Sequence, residues 1–350
     1  ISLKVNSLFM RPELLKREAS QKERQRILQN LSKTLQIPVK QMQEKFASQR
    51  GFVWIKRQLT ENEERNIRDL GLLEYGDGLG LAEETKRHYP NRELASHLVG
   101  TVNIDGLGLE GLELKYENIL SGQSTKIAST KDAMGRRIFE GNEGLLAIKD
   151  GQSLILTIDK TIQYETEKNL RKSVEEFSAR AGSAIVADVQ TGEILAMANF
   201  PTYNPNQTKG VPAEHRRNRA ITDTFEPGST FKSLVVGMAL EKGRSPKSKI
   251  YCEKGSFKVG GRRISEAEAK EKFEWLSYGE ILKYSSNVGS AKLAMELGVP
   301  TMSQLFDKLG LGQKTGIDLP GEVSGIAQKS ELKSIVRLAN VGFGHGIAVT

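Results

Sequence analysis

At 350 residues, with 38% hydrophobic and 27% charged residues, the chain has the composition of an ordinary globular protein and the length for about two domains. It holds no run of 18 apolar residues, which excludes a bilayer-spanning helix within it. The formal charge of +8 would suit an acidic partner such as anionic lipid, nucleic acid or an acidic polymer, but the basic clusters "KERQR" at 22–26 and "EHRRNR" at 214–219 lack the interleaved aromatics of a base-stacking platform and read as solvated surface.

The opening "ISLKVNSLFM" alternates like a strand, with neither an initiator methionine nor a signal segment, so an upstream start carrying an anchor is expected. "RPELLKREASQKERQRILQNLSK" at 11–33 predicts one helix, and Thr60 with Glu63 a capping box for the next, with Gly71 as its stop. Glycines then crowd "YGDGLGL" at 75–81 and "DGLGLEGLE" at 105–113, the mark of a loop-rich, elongated module over residues 1–147. A second domain, 148–350, follows. In it "LILTID" at 154–159 reads as a strand, Thr161 to Phe177 as a helix, and "GSAIVADVQTGEILAMANF" at 182–200 as a hairpin turning through Gln190, Thr191 and Gly192. Together with the helix that follows, these describe an α+β fold, a sheet covered by helices.

That helix lies in "FEPGSTFKSLVVGMALEKG" at 225–243, where Pro227 and Gly228 mark its start, Gly243 its end, and Phe231, Leu234, Val235 and Met238 one buried face. Ser229 and Lys232, at i and i+3, would be neighbours, with the amine in reach of the hydroxyl. Burial favours a neutral amine, and a neutral amine is a base, so the pair has the makings of an activated serine nucleophile. The bare pattern recurs at Ser330 and Lys333, in a charged stretch without such a helix start, where it reads as surface. "YSSNVGS" at 284–290 falls between the helical "WLSYGEILK" and "SAKLAMELG". Its Ser285, Ser286 and Asn287 either cap the following helix or offer a hydroxyl and an amide to relay a proton and hold a substrate carbonyl. The lone Cys252 rules out an internal disulfide framework. His88, His97, His215 and His345 form no His-x-x-x-His pair, so no zinc site is expected.

"EPGSTFK" followed some fifty residues later by "SSN" resembles the penicillin-binding proteins, the serine acyltransferases that cross-link bacterial peptidoglycan. Further similar stretches are "RHYPNRELASHLVG", "GLGLEGLELKYENILSG", "LTIDKTIQ", "TGEILAMANFPTYNPN", "KTGIDLPGE" and "GFGHG". Arg87, Tyr89 and Pro90, with Gly108, Gly111 and Glu113, look like the non-catalytic pedestal, or dimerisation-type module, of the monofunctional class B branch, and "HLVGTVNIDGLGLEGLE" is more similar to its division type than to its elongation type.

The resemblance implies that Ser229 attacks the penultimate D-alanine carbonyl of a stem peptide ending in D-Ala-D-Ala, with Lys232 as general base. Ser285 would pass the proton towards the departing D-alanine, Asn287 and Ser286 would contact the substrate, and the Ser229 N–H would be one oxyanion donor. It implies β-lactams as inhibitors, no metal or organic cofactor, no nucleic acid, and a single-pass anchor holding the domains outside the cytoplasm. A glycosyltransferase and other division proteins would meet the pedestal. The family's third motif, Lys-Thr/Ser-Gly on a strand, is not expected at Lys314, Thr315 and Gly316, which are framed by glycines and proline only 27 residues after Asn287; it is expected beyond Thr350. The alternatives are a non-enzymatic scaffold or β-lactam sensor of the same fold, a soluble β-lactamase, and the elongation-type enzyme.

Overall fold

The computed structural model describes residues 1–73, 78–122, 130–131, 137–138, 151–268 and 270–350. In chain order its elements are β1 (Ser2–Met10), α1 (Pro12–Glu18), α2 (Gln21–Leu35), α3 (Val39–Phe46), β2 (Val53–Lys56), α4 (Glu61–Asp69), β3 (Leu79–Arg87), α5 (Ser96–Val99), α6 (Gly111–Lys115), α7 (Glu117–Leu120), β4 (Thr130–Lys131) and β5 (Arg137–Ile138). They continue with α8 (Lys160–Glu176), β6 (Gly182–Ala187), β7 (Ile194–Phe200), α9 (Ala213–Arg216), α10 (Arg219–Thr222), α11 (Phe231–Glu241), β8 (Lys249–Tyr251), β9 (Ser256–Val259), β10 (Arg262–Ser265), β11 (Trp275–Ser277), α12 (Tyr278–Lys283), α13 (Asn287–Lys308) and α14 (Ile335–Val341). Two compact units result: Ile1–Glu93 with Gly100–Leu154 and Asn204–Lys209, and Leu94–Val99 with Ile155–Tyr203 and Gly210–Thr350. The boundary expected at residues 147 and 148 lies outside the described residues.

The first unit is built on an antiparallel sheet of order β2-β1-β3. Alternation along β1 turns Leu8 and Met10 into a core completed by Leu15, Ile27, Leu31, Met42, Ile55 and Ile67, and turns Phe9 outward. The single helix expected over 11–33 is two, α1 and α2. Ser20 breaks it, because its hydroxyl accepts from Glu23 N while the Glu23 carboxylate takes Ser20 N, a capping box worth about 1 kcal/mol that starts a new helix. Thr60 and Glu63 cap α4 as expected. Of the glycines expected in a loop, Gly80 instead lies in β3, with Gly78 directly before it. Gly80 faces Phe9, whose ring occupies the space a side chain would need. Arg87 donates to the buried Glu113 at 2.6 Å, and Asn206 clasps the Tyr89 backbone through both its N–H and C=O, so residues far apart in sequence meet in one cluster.

In the second unit the hairpin β6–β7 forms as expected, and α8 packs on it. "LILTID" does not form a strand. Gln163, fully buried on α8, occupies both the N–H and the C=O of Met197 on β7, leaving the 154–159 segment one backbone–backbone bond to β7, Asp159 N to Leu195 O. Asp159 then caps α8. Beyond the hairpin, two short strand pairs, β9–β10 and β8–β11, accompany a helical core in which α11 packs against α13 and α13 against α14, burying Phe231, Val235, Met238, Ala291, Ala294 and Leu338. Leu234, expected on the buried face of α11, is exposed. The core-facing stripe instead includes Lys232, Val236 and Ala239, one position round the helix. The stretch "WLSYGEILK" also divides: Trp275–Ser277 pairs with β8, and Ser277 with Glu280 caps α12.

Candidate active site

Ser229 sits exposed in a single 3₁₀ turn, Gly228–Thr230, that leads directly into α11. Residues 344–349 strap this turn in place. Gly228 N donates to Gly344 O at 3.1 Å, Gly346 N to the Glu226 carboxylate at 2.7 Å, and Phe225 and Val349 exchange two backbone bonds of 2.9 Å. Gly344 has φ +80°, and a Cβ there would lie 2.0 Å from Gly228 O, so only glycine lets the "GFGHG" segment approach so closely.

Three residues on, Lys232 is only 1% exposed, an unusual burial for a lysine. Its Nζ donates to Ser285 O at 2.5 Å, Ser285 Oγ at 3.0 Å and Asn287 Oδ1 at 2.7 Å. Ser285 has φ +53°, rare for a residue with a side chain, and in that conformation both its carbonyl and its hydroxyl accept from the one amine. Three acceptors satisfy the three N–H groups of an ammonium. Burial nevertheless pulls the Lys232 pKa down to about 8, against the opposing charges of Glu266 and Glu271. The expected contact with Ser229 Oγ is not made; the amine is turned to the 285–287 turn, which supplies all of its acceptors.

That turn joins α12 to α13. Ser285 is exposed and Asn287 half-buried, with Asn287 Nδ2 donating to Ser265 O at 3.1 Å. Ser286 does not fit the substrate contact expected of it. It is fully buried, its hydroxyl accepts Gly289 N as the cap of α13 and donates to Glu266 Oε1 at 2.6 Å, and nothing of it is left for a substrate. The other carboxylate oxygen of Glu266 takes Asn287 N, also at 2.6 Å. Glu266, 8% exposed at the end of β10, escaped the sequence reading. Its only signal was an acidic residue directly after an alternating strand, which solvent exposure explains equally well.

Elsewhere, Ser330 and Lys333 lie exposed on a 3₁₀ segment, in keeping with a surface reading. Lys314, Thr315 and Gly316 lie on a loop, not a strand, where Glu322 accepts from the Thr315 N–H and hydroxyl and from Gly316 N. Among the described residues no helix is long and apolar enough to cross a membrane.

Two family models match the chain: the penicillin-binding protein dimerisation domain over residues 3–156 and the penicillin binding protein transpeptidase domain over residues 182–350. Over the whole chain it is 36% identical to the peptidoglycan D,D-transpeptidase FtsI of Buchnera aphidicola and 33% identical to the probable peptidoglycan D,D-transpeptidase PenA of Neisseria meningitidis. It spans 60% and 58% of the length of these relatives. The crystal structure of penicillin binding protein 3 from Mycobacterium tuberculosis complexed with aztreonam matches 77% of the chain, and 56% of its own, with a TM-score of 0.66 at 30% identity.

Proposed function

This chain belongs to the penicillin-binding proteins, of the class B kind that joins a dimerisation domain to a transpeptidase domain, and on that premise we propose that it acts as a peptidoglycan D,D-transpeptidase of cell division. The observation that carries the reading is the buried Lys232, whose amine bridges to Ser285 and Asn287 beside the turn that exposes Ser229. A lysine held at a pKa of about 8 is neutral in about a tenth of molecules at pH 7, enough to serve as a base.

In the proposed reaction Ser229 Oγ attacks the penultimate D-alanine carbonyl while its proton passes to Lys232 Nζ. The oxyanion forms near the unpaired N–H groups at the start of the Ser229 helix. As the tetrahedral intermediate collapses, the C–N bond to the terminal D-alanine breaks, and the leaving amine takes a proton through Ser285. The amine of a neighbouring stem peptide then attacks the acyl ester, giving up a proton and freeing Ser229. Asn287, oriented by Ser265 O and by Lys232, is the side chain we assign to the substrate backbone. β-Lactams would be trapped at the acyl-enzyme stage, a glycosyltransferase and other division proteins would act through the dimerisation domain, and the working location would be the outer face of the cytoplasmic membrane.

The test is intact mass after exposure to benzylpenicillin. A single adduct on the wild type that is absent from Ser229→Ala is expected. An adduct persisting in the alanine variant would remove Ser229 from the mechanism, and no adduct on the wild type would point to a scaffold of the same fold.

A further inference from the structure

The site contains one buried acid that the proposed reaction leaves unused. Glu266 follows β10, and its two carboxylate oxygens are both committed to the start of α13, one to Ser286 Oγ and one to Asn287 N, each at 2.6 Å. The same three-residue turn presents Ser285 O, Ser285 Oγ and Asn287 Oδ1 to Lys232. Its neighbour Ser265 gives its carbonyl to Asn287 Nδ2, so residues 265 and 266 fix the backbone and the side chain of Asn287 together.

We propose that Glu266 is a positioning residue of the acylation site: it clamps the Ser285–Asn287 turn in the shape that receives the Lys232 amine and sets its carboxylate behind the acceptors of that amine. This rests on the transpeptidase reading for its consequence, but the clamp itself is in the geometry. A carboxylate at a helix start also stabilises the helix dipole, and a purely structural role would end there. Two observations take Glu266 further. The groups it orders are the ones that touch Lys232, and its charge acts on Lys232 against the effect of burial.

The charged surroundings are few. Lys232 faces Glu266 and Glu271 as acids, with Ser285 and Asn287 as neutral acceptors. Ser286, which Glu266 holds, also approaches the buried Cys252, whose thiol is pushed up by burial and also feels the charges of Glu266 and of Lys292, the latter paired with Glu253 at 2.8 Å. A negative charge near an amine favours the ammonium, so removing that charge lets Lys232 lose its proton at lower pH.

The experiment compares wild type, Glu266→Gln and Glu266→Ala by two readouts: the pH dependence of the second-order acylation rate with a chromogenic cephalosporin, and the titration of Lys232 by NMR of ε-¹³C-lysine, assigned with Lys232→Met. Glutamine keeps the shape and loses the charge, so the Lys232 titration and the acidic limb of the rate profile should both move to lower pH by about half a unit or more. Alanine loses the clamp and should also lower the plateau rate about tenfold or more. Glutamine profiles that superimpose on the wild type, or an alanine variant that loses only thermal stability, would overturn the proposal. A wild type that forms no acyl adduct would sink the transpeptidase reading instead, while the Lys232 titration would still decide the role of Glu266.

Discussion

At the scale of single residues, Lys232 carries the most unusual physics of the chain, a cation 1% exposed whose neighbours accept hydrogen bonds while burial opposes its charge. Its pKa is lowered, so the neutral base accumulates as pH rises through about 8, and the acylation rate should climb over that interval and level off above it. Stopped-flow acylation across pH checks this, and a rate flat through that range would argue against Lys232 as the base. Lys232→Arg should retain the fold and lose acylation by about a thousandfold or more, because arginine stays charged and cannot accept the proton. Near-normal labelling of the arginine variant would be incompatible with a general-base role.

At the scale of elements, the site is a meeting of three segments: the Ser229 turn with α11, the turn between α12 and α13, and the glycine-rich strap at 342–346. The strap sets the height of the nucleophile. Gly344→Ala would drive a methyl group against Gly228 O and force a left-handed conformation on alanine, at a cost of about 1–3 kcal/mol. Displacement of the turn should slow acylation about tenfold or more with little loss of secondary structure, as read by acylation rates beside circular dichroism. Lys314→Ala, by contrast, should leave the rate within about threefold, because the loop at 314–316 is held by Glu322 and not by the lysine side chain. A collapse in the Lys314 variant would mean that this loop carries the third motif.

At the scale of the molecule, each unit owns a core, one around Leu8, Ile27 and Leu31 and the other around Phe231, Val235 and Ala291. Separate cores allow separate unfolding, so calorimetry should resolve two transitions. Acylation by benzylpenicillin should raise only the transition of the second unit. Leu31→Ala, which opens a cavity in the first core, should lower the other by about 2–5 kcal/mol of unit stability. A single transition that shifts as a whole in both experiments would refute this independence.

The sequence by itself determined what depends on neighbours along the chain. The Thr60 and Glu63 cap, the hairpin through Gly192 and the helix following Pro227 were legible, because each is written in spacings of two to seven residues, and a family motif was enough to name Ser229, Lys232, Ser285 and Asn287 as candidates. Ser20 was legible too, as Ser-x-x-Glu, yet the continuous helical periodicity around it masked the break. Tertiary structure alone decided the rest. "LILTID" has the pattern of a strand, but Gln163, in the first turn of α8, takes the backbone groups at Met197 on β7. Ser286 shares a tripeptide with two residues that meet Lys232, but the cap it supplies to α13 and the carboxylate of Glu266 enclose it. Lys232 turned from Ser229 towards the 285–287 turn for the same reason: hydrogen-bond acceptors some fifty residues away compete for a buried amine, and only folding brings them within reach.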